Sequence, residues 1–428
     1  MARRICVLRH SYFPIDVRLR RQTNVLVSSG FEVDVVCLRL PGQRWRERVN
    51  GATVYRVPLS HHRGSRLRYV GEYAASLFLL GIVATLLHLG RRYDVVQVNT
   101  MPDVLALGVL GIKLSGARLV LDINDLMPEL YMAKFGATTS HPVTLLLRLL
   151  EGASMRLADR VITVTDEFER ILVGRHGRND IAVVMNCPDA TVLPRRAPSR
   201  PRWGTGNEKS ERFVLMSHGV LVERLGFDTI VRAVALLRDR IPGIELRIVG
   251  PGEHGEELRE LAFNLGVSDR VSLLGLVPLD RVPDLVADAD LGVVANKRDG
   301  FADLLLPTKL LEYVWLGKTT VAARTATIAN YFDESMLAFF EPGDPHDLAR
   351  VILDLYQHPE RCYDLAVNAG TFSDRYNWAT EGKRYRDLLA DLADADRHGN
   401  IGSDSHPDRE PDERYIAETA SVVDGRTT

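Results

Sequence analysis

The chain contains two blocks in which short apolar segments alternate with longer segments of helical periodicity, and this arrangement constrains its fold most. The apolar segments of the first block are ICVLRH, FEVDVVCL, VVQVN, RLVLDI and VITVT. Those of the second block are FVLMSHG, IELRIVG, RVSLLGLV, LGVVAN and TTVAAR. Apolar strands separated by helices are typical of parallel sheets covered by helices on both faces. The sequence therefore predicts an α/β protein with two doubly wound, Rossmann-like domains that face a central cleft.

The two blocks are separated by a run rich in proline, arginine, glycine and serine. We therefore expect a first domain at residues 1–187, an exposed linker at 188–212 and a second domain at 213–375. A helix at 376–396 is expected to return to the first domain. The polar, acidic stretch at 397–428 is expected to be largely disordered.

Composition limits the classes of function. The chain has 428 residues, of which 46% are hydrophobic and 26% charged, as is ordinary for a globular protein. Its formal net charge of −2 gives no global indication of nucleic-acid binding. The four cysteines, Cys6, Cys37, Cys187 and Cys362, are scattered and suggest neither a disulfide framework nor a zinc site.

The sequence also bears on location. The amino terminus, MARRICVL, has too short an apolar run for a signal peptide, so a cytoplasmic protein is expected. Residues 73–90 carry no formal charge and approach the length of a membrane span. Because they include polar residues and glycines and lead directly into a strand, a buried domain helix is favoured over a transmembrane span. Arg63, Arg66 and Arg68 could contact the inner face of the plasma membrane, or could lie in a solvated loop.

The segment FADLLLPTKLLEYVWLG at residues 301–317 is a candidate binding element. Pro307 and Thr308 are typical of a helix start, with Thr308 as the expected N-cap. Lys309 and Glu312 then lie on one side of the first turn. A helix start offers free N–H groups and the positive end of a dipole, which suit a phosphate. The alternative is an amphipathic helix whose lysine and glutamate are merely solvated.

Further candidate contacts follow the strands of the second block. His218 and Gly219 end one strand, with Glu223 and Arg224 in the loop after it. The turn Gly-Pro-Gly at 250–252 ends the next strand. Glycine allows the backbone to approach a phosphate or base, and Arg224 and Lys309 could neutralise a diphosphate. Each signal alone is weak, but all of them lie on one edge of one sheet.

With these motifs in place, the chain resembles the retaining GT-B glycosyltransferases of family 4. The resemblance is carried by the strand before His218, IVGPGE, VSLLGLV, ADADLGVV and LPTKLLEYVWLGKTTVAA in the second half. In the first half it is carried by PIDVRLRR, YDVVQVNTMPD, LVLDINDLMPELY, VITVT and VVMNCPD. It covers nearly all of residues 1–390 and is specific for the fold and the reaction class, but not for the sugar.

The resemblance implies roles for individual residues. Glu312 would hold the ribose hydroxyls of the donor nucleotide, while Arg224 and Lys309 would stabilise the leaving diphosphate. Asn124 would lie beside the transferred sugar, and with Arg224 and Lys309 it completes the expected catalytic set. The expected donor-binding set is His218, Gly219, Arg224, Gly250, Gly252, Leu274, Gly275, Leu306, Pro307, Thr308, Lys309 and Glu312. The acceptor-side set is His10, Asp16, Asn99, Asp125 and Glu129.

The chain departs from the family pattern at two positions. The first glutamate of the Glu-x7-Glu motif falls at Leu304, and Asp303 or Asp299 could replace it. A histidine common in the family falls at Asn124, which cannot take a proton. Leu304 could instead be a core residue, and Asn124 could cap the turn before Leu126.

The implied reaction moves a sugar from a nucleoside diphosphate to an acceptor hydroxyl with retention of configuration. The acceptor would be a saccharide or a lipid-linked saccharide. The resemblance implies neither a cofactor nor an essential metal, and no Asp-x-Asp precedes a plausible donor site to hold one. Two alternatives stay open: a sugar-nucleotide epimerase, and a non-catalytic protein that binds sugar nucleotides.

Overall fold

The computed structural model describes residues 3–59, 66–201, 203 and 212–394. These residues form two mainly parallel β-sheets with helices on both faces, which confirms the predicted α/β class and the two Rossmann-like domains. The expected disordered tail at 397–428, the part of the linker at 204–211, and Arg63 lie outside the described residues. The side chains of Arg66 and Arg68 also lie outside the described part.

The first domain is built on an eight-stranded sheet. Its strands are β1 Arg4–Tyr12, β2 Glu32–Leu38, β3 Arg46–Val49, β4 Ala52–Val57, β5 Val95–Asn99, β6 Arg118–Ile123, β7 Arg160–Thr163 and β8 Ile181–Val183. Its helices are α1 Val17–Ser28, α2 Arg66–Arg91, α3 Leu110–Leu114, α4 Met127–Phe135, α5 Pro142–Leu157 and α6 Asp166–His176. The spatial order is β3-β4-β2-β1-β5-β6-β7-β8, and all neighbours pair in parallel except β3 with β4.

The second domain is built on a six-stranded parallel sheet. Its strands are β9 Phe213–His218, β10 Ile244–Val249, β11 Val271–Gly275, β12 Leu291–Val294, β13 Thr320–Ala323 and β14 Ala338–Phe340, in the order β11-β10-β9-β12-β13-β14. Its helices are α7 Phe227–Leu237, α8 Gly255–Asn264, α9 Val282–Asp288, α10 Thr308–Trp315, α11 Ala326–Tyr331, α12 Pro345–Gln357 and α13 Pro359–Arg375. Because the strands are parallel, the loops that follow β9, β10 and β12 meet at one edge.

The last helix, α14 Trp378–Asp394, packs against the first domain. Trp378, Tyr385 and Leu389 share a buried apolar cluster with strands β1, β2 and β5. The Tyr385 hydroxyl donates a hydrogen bond of 2.7 Å to Gln97 Oε1. The chain therefore leaves the first domain after β8 and returns to it through α14.

Two local predictions need correction. Thr308 is not the N-cap of α10; Pro307 occupies that position with extended backbone, and no side-chain cap is formed. The sequence VLALGVLGIKL at residues 104–114 predicts one helix, but the structure has the 3-10 helix Asp103–Val109 there and becomes α-helical only in α3. Among the described residues, no helix combines the length and apolarity needed to cross a membrane.

Candidate functional site

Three glycines line the carboxyl edge of the second sheet, where β9, β10 and β11 end side by side. The Gly219 N–H donates to the Val249 carbonyl at 2.9 Å, and the Gly250 N–H donates to the Gly275 carbonyl at 2.8 Å. A Cβ on Gly250 would lie 1.9 Å from the Gly219 carbonyl oxygen, and Gly250 has φ +136°. Only glycine fits at position 250, and Gly219 and Gly275 also carry no side chain, so we call this edge the glycine floor.

Gly252 extends this floor toward the loop after β9. A Cβ at Gly252 would lie 2.2 Å from the Leu221 carbonyl oxygen, so the two loops are in direct contact. On the other side, Leu274 is 42% exposed at the end of the edge strand β11. The structure thus brings together the predicted residues Gly219, Gly250, Gly252, Leu274 and Gly275.

Glu312 points from α10 toward the end of β9. Its Oε2 lies 2.7 Å from His218 Nε2, and His218 Nδ1 lies 3.0 Å from the Tyr313 hydroxyl. The Glu312 side chain is 26% exposed, so one of its faces stays accessible to a ligand. A carboxylate held in this way can accept two hydrogen bonds from neighbouring hydroxyls, as a ribose would offer.

Lys309 is buried beneath the same helix start. Its Nζ lies 4.7 Å from the centre of the Phe227 ring and has no hydrogen-bond partner among the described residues. Burial lowers the pKa of Lys309 to about 7, because the charged amine is deprived of water. An orphaned amine of this kind lacks a counter-charge, which a diphosphate would supply.

The start of α10 offers fewer backbone donors than the sequence predicted. Leu306, Pro307 and Thr308 were the expected donor-binding residues at this helix start, but proline has no backbone N–H group to offer. The N–H groups of Leu310 and Leu311 already donate to the Pro307 carbonyl, at 3.0 and 3.4 Å. Thr308 is exposed, and Leu306 packs against the apolar cluster of the domain.

Arg224 connects the two domains. Its guanidinium lies 5.7 Å from the centre of the Phe301 ring, and Phe301 is buried in the first domain's core cluster together with Val98 and Leu126. Burial raises the pKa of the Asp125 carboxyl, and the charges of Arg9, Arg224 and Arg18 oppose that increase. Arg224 of the second domain therefore faces Asp125 of the first across the cleft.

Asp16 and His10 lie on the acceptor side near this contact. Asp16 caps α1 by accepting the Leu19 N–H at 2.9 Å, and it pairs with Arg9 at 2.7 Å. His10 is half-buried at the end of β1. Asp16 thus has a structural task in the helix cap, and it also fixes the position of a cleft arginine.

Two other predicted residues belong to buried networks. Asn99 is fully buried and donates to Gln22 Oε1 at 2.9 Å and Asp122 Oδ2 at 3.1 Å. Glu129 is 7% exposed and pairs with Arg175. The structure therefore does not bring Asn99 or Glu129 to the surface of the cleft.

Asn124 is 8% exposed and is fixed by Thr100. Its backbone N–H donates to Thr100 Oγ1 at 3.1 Å, and its Nδ2 donates to the Thr100 carbonyl at 3.3 Å. Its Oδ1 has no partner among the described residues. The side chain does not cap α4, whose N-cap position is Leu126, so its oxygen remains available for a hydrogen bond from a ligand.

The position of the missing glutamate is apolar and faces the first domain. Leu304 packs against the same core cluster as Phe301. The two nearby aspartates are occupied: Asp299 Oδ1 accepts the Phe301 N–H at 2.8 Å, and Asp303 Oδ1 accepts the Ala326 N–H at 3.1 Å. Each aspartate therefore holds a backbone N–H through one of its two carboxylate oxygens.

Sequence reasoning missed several residues that shape the site. Arg9 and Phe301 were read as parts of a strand and of an apolar segment, and their roles depend on contacts with distant elements. Asn296 and Thr325 follow the neighbouring strands β12 and β13, and both are buried with unpartnered side-chain atoms. Their polar side chains directly after predicted strands could have identified both residues from the sequence. Among the described residues, no cluster of three or more His, Cys, Asp or Glu side chains is placed to hold a metal ion.

Comparison with known proteins agrees with this geometry. Residues 15–187 match the family described as "Glycosyl transferase 4-like domain", and residues 212–358 match "Glycosyl transferases group 1". A GDP-mannose-dependent alpha-(1-6)-phosphatidylinositol monomannoside mannosyltransferase of Mycolicibacterium smegmatis is 29% identical over 215 residues, 49% of this chain and 53% of that protein. The chain therefore aligns with about half the length of this curated relative.

Two solved structures show the same fold. A sucrose-phosphate synthase from Thermosynechococcus elongatus superposes with a TM-score of 0.74 at 16% identity, over 92% of this chain and all of that chain. Anabaena HepE in complex with UDP-glucose gives a TM-score of 0.66 at 18% identity, over 90% and 99% of the two chains. The family resemblance and the GT-B fold predicted from sequence are confirmed. The chain belongs to the glycosyl transferases of group 1, with a glycosyl transferase 4-like domain ahead of the group 1 domain.

Proposed function

We propose that the protein is a hexosyl-type glycosyltransferase, which moves a sugar from a nucleoside diphosphate to an acceptor hydroxyl with retention of anomeric configuration. The observation that carries this proposal is the placement of Glu312, Lys309 and the glycine floor around one strand edge. The floor admits a flat, charged ligand, Glu312 offers oxygens to a ribose, and Lys309 offers a charge to a diphosphate. A solved relative in complex with UDP-glucose supports this class of donor.

Positively charged side chains in the cleft stabilise the leaving diphosphate. The bond from the sugar C1 to the phosphate oxygen breaks, and Arg224 and Lys309 stabilise the charge that develops on the diphosphate. The acceptor oxygen forms its bond to C1 on the face that the diphosphate leaves, and its proton passes to the departing phosphate oxygen. Asn124 contributes a hydrogen bond through Oδ1 and takes no proton.

The proposal needs neither a cofactor nor a metal ion, because Arg224 and Lys309 supply the positive charge at the leaving group. We place the reaction in the cytoplasm, which the four buried free cysteines support. The acceptor is a saccharide or a lipid-linked saccharide of a polysaccharide, glycolipid or other glycoconjugate. The name of the M. smegmatis relative, which contains a phosphatidylinositol mannoside, supports the lipid-linked class.

The test is release of nucleoside diphosphate from a panel of nucleotide sugars, with and without saccharide and glycolipid acceptors. Acceptor-dependent release is expected, and the anomeric proton coupling of the product in NMR should match that of the donor. Arg224→Ala and Lys309→Ala should each lower the turnover about 100-fold or more. The exposed residues Arg232 and Lys383 provide matched controls, and their alanine variants should turn over like the wild type.

The outcomes separate the proposal from its two alternatives. Conversion of the sugar nucleotide without an acceptor would favour an epimerase. Nucleotide binding with neither hydrolysis nor transfer would favour a non-catalytic binding protein. Full transfer by Arg224→Ala or Lys309→Ala would remove these residues from the leaving-group site.

A further inference from the structure

Three neighbouring helical elements form one layer on the first domain: α2, the 3-10 helix Asp103–Val109 with α3, and α5. Gly81 of α2 lies so close to the 3-10 helix that a Cβ on it would be 2.5 Å from the Gly108 carbonyl oxygen. On the other side, the Ser154 hydroxyl of α5 donates to the Asp103 carbonyl at 2.9 Å. The three elements therefore present one continuous outer surface.

Large apolar side chains dominate the outer side of this layer. In α2 they recur at every third or fourth position from 78 to 89, as expected for one face of a helix. Ten such side chains, each between 38 and 79% exposed, define what we call the apolar face: Phe78, Ile82, Leu86, Leu89, Leu107, Leu110, Leu114, Leu145, Leu146 and Leu149. Scattered exposed leucines are normal, but a contiguous group of this size marks an interaction surface.

The charged side chains that reach solvent in the described part of these helices are cationic. Among the described side chains of these helices, the two carboxylates, Asp103 and Glu151, are buried. The cations instead reach solvent: Arg156 is exposed, and the side chains of Arg91 and Arg148, which pair with Asp34 and Glu129, stay 32% and 30% exposed. An apolar face with a cationic rim is complementary to an anionic lipid surface.

The same charge pattern disfavours a second copy of this chain as the occupant. In a two-fold dimer a surface meets its own copy, so the cations of one rim would oppose those of the other. The described acids of these helices, Asp103 and Glu151, are buried and cannot relieve that repulsion. A bilayer with anionic headgroups supplies both the apolar medium and the counter-charge.

The apolar face also adjoins the reaction cleft. The 3-10 helix begins at Asp103, shortly after β5 ends at Asn99, and so lies at the carboxyl edge of the first sheet. The geometry points to docking of the first domain on an anionic bilayer through this face. This inference rests on the proposed transfer reaction in one respect: docking would present the cleft to a lipid-linked acceptor.

The test is co-sedimentation of the full chain with vesicles of phosphatidylcholine, with and without phosphatidylglycerol. Binding is expected only when the anionic lipid is present, and it should weaken as salt is raised. The triple variant Ile82→Ser, Leu86→Ser, Leu146→Ser should bind vesicles at least about tenfold more weakly. The reason is that it removes apolar area that would be buried in the bilayer. Arg156→Gln should lower the affinity for anionic vesicles alone.

A matched control removes the same kind of side chain from the second domain. Phe263, Leu236 and Val367 are 77, 44 and 43% exposed, and their serine triple variant should bind vesicles like the wild type. Absence of vesicle binding at low salt, or equal binding by the Ile82, Leu86 and Leu146 variant, would overturn docking. A wild-type dimer that this variant converts to a monomer would overturn it too, since the face would then join two copies.

Nucleotide-induced thermal stabilisation, measured on the same samples, separates this inference from the proposed function. The apolar-face variant should retain the nucleotide shift, because the altered residues lie in the first domain, outside the donor-binding set. Loss of vesicle binding with an intact nucleotide shift shows that the face, and not the donor site, has been changed.

Discussion

Lys309 is buried, lacks a hydrogen-bond partner among the described residues and lies in the first turn of α10. Sequence reasoning placed it near the diphosphate but could not show that its amine is buried over Phe227 without a partner. A buried amine without a counter-charge destabilises the empty protein. This cost is an expected consequence of a site that is complete only with its ligand.

The destabilisation caused by burying Lys309 decreases as the pH rises. The pKa of Lys309 is about 7 in the folded protein, whereas a lysine in an unfolded chain titrates near 10.4. Between these values the unfolded chain binds more protons, so the free energy of unfolding contributed by Lys309 rises with pH. Lys309→Met should therefore be more stable than the wild type near pH 7, and the difference should shrink toward pH 10.

Urea unfolding of both proteins across this range measures the difference. The exposed variant Lys383→Met is the control and should show no such trend. A stability difference that stays constant from pH 7 to pH 10 would show that Lys309 does not titrate as described.

Two other residues show why parts of the site escaped prediction. Glu312 and the glycines could be predicted from the local sequence, because Glu312 belongs to a family motif and the glycines directly follow predicted strands. The task of Leu304 could not, because it packs against a domain whose position the local sequence does not encode. The resemblance implied an acceptor-side position for Asn99, but its side-chain amide donates to Asp122 in a buried network.

At the scale of elements, the glycine floor depends on a close approach of β9 and β10. Gly250→Ala would place a methyl group 1.9 Å from the Gly219 carbonyl oxygen at φ +136°. We expect a loss of about 2 kcal/mol or more in the free energy of unfolding, with weaker nucleotide binding. Chemical denaturation and calorimetric titration would measure the two effects.

Gly255→Ala is the matched control for this change. It lies at the start of α8, and its Cβ would meet only Leu221 Cδ1 at an ordinary 3.8 Å. Its stability should stay within about 0.5–1 kcal/mol of the wild type. If Gly250→Ala were equally benign, the floor would not require glycine.

The strand pattern predicted most elements well, because parallel strands are buried on both faces and read as apolar runs. The hairpin of β3 and β4 was missed. Its edge strand, Arg46–Val49, is polar and largely exposed, so it has no apolar signal. The N-cap at Thr308 was wrong because Pro307 already takes the extended conformation that precedes the helix.

At the scale of the whole molecule, Phe301 holds the segment between β12 and α10 against the first domain. It is 1% exposed and shares a core cluster with residues of β5 and of the turn before α4. Phe301→Ala should lower the free energy of unfolding by about 3–5 kcal/mol if both domains unfold together. It should also raise the radius of gyration in small-angle scattering, since the domains lose their apolar contact.

Phe263→Ala removes an exposed aromatic ring from the second domain and should change neither quantity. An unchanged radius of gyration and an unchanged free energy of unfolding in Phe301→Ala would mean that Phe301 does not hold the two domains together. The sequence predicted two domains around a cleft, but it could not predict which side chains cross that cleft.

We propose that the sheet edge around Glu312 binds a nucleotide sugar. A thermal-shift screen tests this binding directly. The wild type and Glu312→Ala would be compared with UDP, GDP, ADP, CMP and dTDP, with the exposed Glu256→Ala as control. We expect stabilisation by one nucleotide, which is lost in Glu312→Ala and kept in Glu256→Ala. No stabilisation by any nucleotide, or equal stabilisation of all three proteins, would contradict it.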